Sequence, residues 1–143
     1  MGKLDTSKIN QQPLKTSEYF SESFTKKQIV IHHTAGNSSA VNVMRDWNSD
    51  SRGRIATCVS ISGPGAKNSY DGEIVQGFSS KYWAYHLGIK GDVFKAYKVP
   101  HQILDKISIG IEICNWGQLD YENGKFMNEI NLQTIRERIN KNL

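Results

Sequence analysis

The period of the apolar residues changes several times along the chain, and each change marks an element. Gln28-Ile29-Val30-Ile31-His32-His33 is a β-branched run that reads as a buried strand, closed by the turn formers Thr34-Ala35-Gly36-Asn37. Ser38 or Ser39 can cap a helix in which Ala40, Val43, Met44 and Trp47 follow i, i+3, i+4, i+7 spacing, and the turn formers of 48–53 stop it. A second strand is expected over Ile55 to Ser62. After a Gly-Pro-Gly loop, Asp71-Gly72 turns into a third over Glu73-Ile74-Val75-Gln76. The stretch from Gly77 to Pro100 mixes aromatics and glycines and reads as loops with one short strand near Val93 to Lys98. Ile107, Ile109, Ile111 and Ile113 then alternate with Ser108, Gly110, Glu112 and Cys114, the clearest period of two in the chain. Beyond Gly124 the character shifts again: Leu132, Ile135, Ile139 and Leu143 keep helical spacing, with Glu137 and Lys141 as an i, i+4 ion pair. Strands interleaved with helices predict an α/β domain with a mixed central β-sheet flanked by helices.

At 143 residues the chain suits one domain, read as an N-terminal arm over 1–26 and a domain over 27–143. No stretch approaches the roughly 20 apolar residues of a membrane helix, so no membrane insertion is expected. The start MGKLDTSKINQQPLK has no apolar core, so no cleaved secretion signal is expected. The net charge of +4, from 18 Lys and Arg against 14 Asp and Glu, is scattered, with no run longer than Lys26-Lys27. Nucleic-acid binders concentrate such charge on one face, and none is expected as a partner. Cys58 and Cys114 both lie in apolar strand-like segments and outside any CxxC pair, which suits buried reduced thiols.

Three features can carry chemistry. His32 and His33 end a strand, and alternation sends their imidazoles to opposite faces, so one metal is not expected to take both, and at least one of them is expected to be a hydrogen-bonded core histidine. Glu112 sits among isoleucines on the face shared with Ser108, Gly110 and Cys114. Such a carboxylate faces water from an edge strand, or it lines a cleft as a general base. Trp83, Tyr85 and His86 can line a groove for a sugar or peptide, or pack the core.

Taken together the motifs resemble a family, the type 2 N-acetylmuramoyl-L-alanine amidases, which share a fold with peptidoglycan recognition proteins and many phage endolysins. The resemblance rests on Ile29-Val30-Ile31-His32-His33-Thr34-Ala35-Gly36, Trp47, Asp71-Gly72-Glu73-Ile74-Val75-Gln76, Ala84-Tyr85-His86-Leu87-Gly88 and Ser108-Ile109-Gly110-Ile111-Glu112-Ile113. These blocks arrive in the family's order across residues 27 to 118. The resemblance implies a bacteriolytic zinc hydrolase, in which water on a zinc held by two His and a Cys or Asp cuts the bond between N-acetylmuramic acid and the L-alanine of the stem peptide. By matched position, it implies His32 as the first zinc ligand, Glu112 as the residue assisting the water, and His86, with Trp83 and Tyr85, along the substrate groove. Bacterial peptidoglycan is the implied partner, met by a monomer, and the chain is expected to be cytoplasmic or phage-encoded.

The chain also departs from the family. Thr57 stands where some members carry a catalytic Tyr. The remaining zinc ligands normally follow the Ser108–Ile113 strand, yet no His follows His101, no Cys follows Cys114 and no Asp follows Asp120. The zinc site is therefore expected to be incomplete in this chain and the domain to be C-terminally incomplete. The other readings are a non-catalytic peptidoglycan-binding module, or a site rebuilt around His32 from Glu112, His86 or Cys114.

Overall fold

The computed structural model describes residues 6–36, 38–64, 66, 68–115, 120–122 and 125–127. The helical spacing from Leu132 to Leu143 lies outside them. In chain order the elements are β1 (Asn10–Gln11), β2 (Gln28–His33), α1 (Ala40–Ser49), β3 (Val59–Ser62), β4 (Ile74–Gln76), α2 (Gly91–Ala96), α3 (Ile103–Ile107), β5 (Ser108–Cys114), β6 (Asp120–Glu122) and β7 (Lys125–Met127). Five strands form one sheet in the order β1-β4-β3-β5-β2, and β6 pairs with β7 in a separate hairpin. Only the β3–β4 pairing in the large sheet is antiparallel, so the sheet is mixed, with helices packed against it.

The helix α1 forms where its stripe predicts. Ser39 caps it, its hydroxyl accepting from the Asn42 amide at 3.2 Å. Ala40, Val43 and Met44 are buried against the sheet, and the Ala40 amide donates to Ser62 Oγ at 2.9 Å. That bond fixes which face α1 covers: the one carrying Ser60, Ser62, Val75 and Cys114. Burying each larger side chain of this stripe contributes roughly 1.5–3 kcal/mol, and Leu14, Ala56, Cys58, Phe78 and Ala84 complete the core.

Residues before β2 are stitched into the domain. Leu14 is buried and its amide donates to Gly77 O at 2.8 Å. Phe20 stacks on Trp83 with ring centroids 3.9 Å apart, under the guanidinium of Arg54. Lys26 Nζ donates to the carbonyls of Tyr82 and Lys106, each at 2.7 Å, and burial lowers its pKa.

Three expectations about elements need correction. The strand β2 is a sheet edge rather than a buried strand: Ile29 and Ile31 are 62% and 66% exposed. Its β-branched composition suits a strand at any place in a sheet, so composition alone does not say how many faces are covered. The second strand is shorter than Ile55–Ser62 because the chain before Val59 leaves the sheet. Arg54 has a positive φ, and Ala56 and Tyr85 bond with the Tyr85 and Arg54 carbonyls instead. Val93 to Lys98 is not a strand: Gly91–Ala96 is a helix whose single buried side chain is Phe94, with Asp92 in its first turn and Lys95 in its last.

Candidate functional site

The site begins with register. In the parallel pair β2–β5, His32 lies opposite Glu112 and His33 opposite Ile113. Opposed residues in neighbouring strands project to the same face, so His32 and Glu112 stand side by side on the face that α1 partly covers. His33 goes to the other face and is exposed. Glu112 is on an interior strand, between β3 and β2, not at an edge. Where α1 ends, a cleft of about 90 Å³ remains, lined by His32, Glu112, Trp47, Thr57, Tyr85 and His86 among others.

His86 enters from the 84–87 segment and lies over β5. Its Nδ1 is 2.9 Å from His32 Nε2, with the two rings edge to face, and its Nε2 is 2.8 Å from Ser108 Oγ. The backbone beneath it is held by Asp105, which is 3% exposed and whose Oδ1 accepts from the His86 and Leu87 amides at 3.0 and 3.1 Å. Burial drives the His86 pKa down to about 4, against the pull of Asp105 and with a further push from His32. Burial also lowers the pKa of His32, while Asp105 opposes and His33 adds to the shift. Both rings are thus neutral at pH 7, the state in which an imidazole nitrogen can accept a proton or bind a metal.

Glu112 is half-buried, and burial raises its pKa, with His33 pulling the other way. Among the described residues its carboxylate makes no hydrogen bond. A carboxyl raised by desolvation and left unpartnered in a cleft has the properties of a general acid–base group.

Of the groove residues expected from sequence, Tyr85 and His86 line the cleft and Trp83 does not. Trp83 is 4% exposed, sandwiched behind Phe20, with Nε1 pointing to Glu22. Trp83 is covered face-on by Phe20, whereas Tyr85 meets Phe20 only edge-on at 5.3 Å and keeps a side on the cleft. Trp47, which the helical stripe assigns to packing, reaches the cleft because it is the last stripe position, beyond the sheet's cover. Ser108 carries a detectable signal, its place on the Glu112 face, whereas Asp105 offers none in sequence.

Neither cysteine lines the cleft that holds His32 and Glu112. Cys114 Sγ sits 3.4 Å from Ser60 Oγ in the core with its thiol pKa raised by burial, and burial pushes Cys58 up to about 11. Neither is in a disulfide. A tetrahedral zinc needs at least three protein donors, and among the described residues no three His, Cys, Asp or Glu converge. His32 offers one nitrogen, His86 spends both of its nitrogens on hydrogen bonds, and Cys114 faces the core. The described donor set does not fit a complete zinc site.

Comparison with known proteins bears on the family and the fold. The family described as N-acetylmuramoyl-L-alanine amidase matches residues 23–137. Among solved structures, that of PlyL is similar with 16% identity and a TM-score of 0.55, over 92% of this chain and 71% of PlyL. The structure of a PlyL point mutant is similar with 15% identity and a TM-score of 0.54, over 92% of this chain and 72% of the other. A mutant endolysin from Bacillus subtilis has 19% identity and a TM-score of 0.49, over 92% and 77%. No curated protein sequence matches.

Proposed function

Starting from the premise that this chain belongs to the N-acetylmuramoyl-L-alanine amidase family, we propose that its cleft receives the junction between N-acetylmuramic acid and the stem peptide of bacterial peptidoglycan and hydrolyses the amide there. One observation carries the reading: a neutral imidazole and a desolvated carboxyl, His32 and Glu112, sit opposite each other in register and face one cleft. Glu112 takes a proton from the attacking water and returns it to the departing L-alanine nitrogen. Trp47 and Tyr85 line the same cleft, and an aromatic ring there offers an apolar face against which a sugar face or a lactyl methyl can pack.

Zinc is the group the family implies, and His32 is the described residue at its place. Because the described residues supply one such donor rather than three, a second reading stands beside the first: a peptidoglycan-binding module that keeps the groove without the chemistry.

Incubation with purified peptidoglycan separates the two, alongside zinc analysis of the purified protein. New L-alanine amino termini, lost in Glu112→Gln and His32→Ala, support the hydrolase; stoichiometric zinc that disappears in His32→Ala identifies His32 as a ligand. Sedimentation with the wall but no release supports the binder. Neither release nor binding ends both readings.

A further inference from the structure

Hydrolysis leaves unexplained why a buried hydroxyl and a second imidazole stand behind His32. Four groups lie in a row. Ser108 Oγ is 2.7 Å from the Leu104 carbonyl and 2.8 Å from His86 Nε2, and His86 Nδ1 is 2.9 Å from His32 Nε2. Which way the hydrogens run follows from what each atom can do. A carbonyl only accepts, so a bond to Leu104 uses the single hydrogen of Ser108. The Ser108 oxygen must then accept, His86 Nε2–H donates to it, and His86 Nδ1 is left as a lone pair. That lone pair takes a hydrogen from His32 Nε2. The reverse direction starts with Ser108 donating to His86 and strips the Leu104 carbonyl of this donor. The first arrangement makes three hydrogen bonds and the second makes two. One net bond favours the first by roughly fivefold.

We propose that Ser108 and His86 are positioning residues that hold His32 as its Nε2–H tautomer, so that Nδ1 is the one lone pair this ring offers to whatever it meets in the cleft. Among the described residues His32 Nδ1 has no hydrogen-bond partner. Gly110 makes the row sterically possible. A Cβ there would stand 3.1 Å from His86 Cγ and 3.2 Å from His86 Nδ1, so the ring lies against β5 only over bare backbone. The alternation of β5 thus sets three devices on one face: a hydroxyl that anchors the proton order, a gap for the relay ring, and the carboxyl of the cleft. The catalytic meaning of this order rests on the amidase reading; the order of the protons does not.

Long-range proton–nitrogen correlation spectra of the imidazoles, taken on the full chain at neutral pH without metal or substrate, read the tautomers directly. His86→Ala and His32→Ala assign the signals. The expected result is a protonated Nε2 and a bare Nδ1 on both rings, with Ser108→Ala shifting each toward a mixture as the fivefold bias is lost. A wild-type His32 protonated on Nδ1 overturns the proposal, and so do tautomers unchanged in a folded Ser108→Ala. Should Ser108→Ala not fold, the wild-type spectrum decides alone. A wrong tautomer leaves the amidase reading standing, and absence of L-alanine release leaves the tautomer standing, so the two fail separately.

Discussion

Asp105 is the part of the site whose removal has the most calculable effect. Its carboxylate is 3% exposed, and one oxygen serves two consecutive backbone amides, those of His86 and Leu87. Asp105→Ala removes the acceptor without supplying another, and water has little room to replace it. Leaving a partly buried N–H unpaired costs about 1–2 kcal/mol, so two cost about 2–4 kcal/mol. Against a total stability of about 5–15 kcal/mol, that is a large fraction. For a chain of this length it corresponds to a fall in Tm of roughly 7–13 °C. Asp105→Asn keeps an oxygen in place and should lose only about 1 kcal/mol. Urea titration of the three proteins, monitored by tryptophan fluorescence, measures both differences. An alanine variant within about 0.5 kcal/mol of wild type would refute the reasoning. An asparagine variant as damaged as alanine would mean that the charge matters and the acceptor does not.

Other outcomes follow from the same site. The His86 imidazole has an ordinary pKa of 6.5 and about 4 in the fold, so below pH 6.5 the unfolded chain binds more protons and stability falls toward pH 4. The shift allows about 3 kcal/mol at most, and screening at a partly exposed ring reduces this to about 1–2 kcal/mol; denaturant midpoints across this window should fall with acidity and flatten in His86→Gln, and a flat wild-type profile contradicts the assignment. Glu112 is shifted the other way, so its folded carboxyl holds its proton more tightly than in the unfolded chain. The resulting penalty is present above its folded pKa and absent below the ordinary 4.5. Glu112→Gln should therefore be more stable than wild type at neutral pH, equal to it in acid, and at least about 100-fold slower in amide release; full activity would remove Glu112 from the chemistry. Gly110→Ala forces a methyl against His86 and Thr57 and should cost about 1–3 kcal/mol in thermal unfolding, whereas an unchanged Tm would mean the ring is not seated on β5.

How much of this was legible in the sequence depends on whether a residue's role is set locally. The strand from Ser108 to Cys114 and the helix from Ala40 are written in their periods, and the opposite facing of His32 and His33 follows from alternation alone. That Glu112 faces a cleft required knowing that β5 is interior and in register with β2, a pairing between distant parts of the chain that no local pattern encodes. The split between Tyr85 and Trp83 depends on Phe20, from the distant N-terminal segment, which covers the Trp83 face and meets Tyr85 only edge-on. Val93 to Lys98 reads as a strand because its apolar residues are branched and aromatic, yet Val93 and Tyr97 are 42% and 76% exposed. Their burial never entered the balance, and helix termini with matching charges decided the local form. Asp105 was invisible because its partners are backbone amides, and backbone amides leave no trace in composition.

The most direct test is where a muramyl peptide binds. In a two-dimensional NMR titration with N-acetylmuramyl-L-alanyl-D-isoglutamine, shifts should concentrate on Trp47, Thr57, Tyr85 and the His32 and His86 rings. The opposite face, around Ile29, Ile31 and His33, should stay silent. Shifts gathered on that face, or none at saturating ligand, would contradict the claim that His32 and Glu112 mark the working cleft.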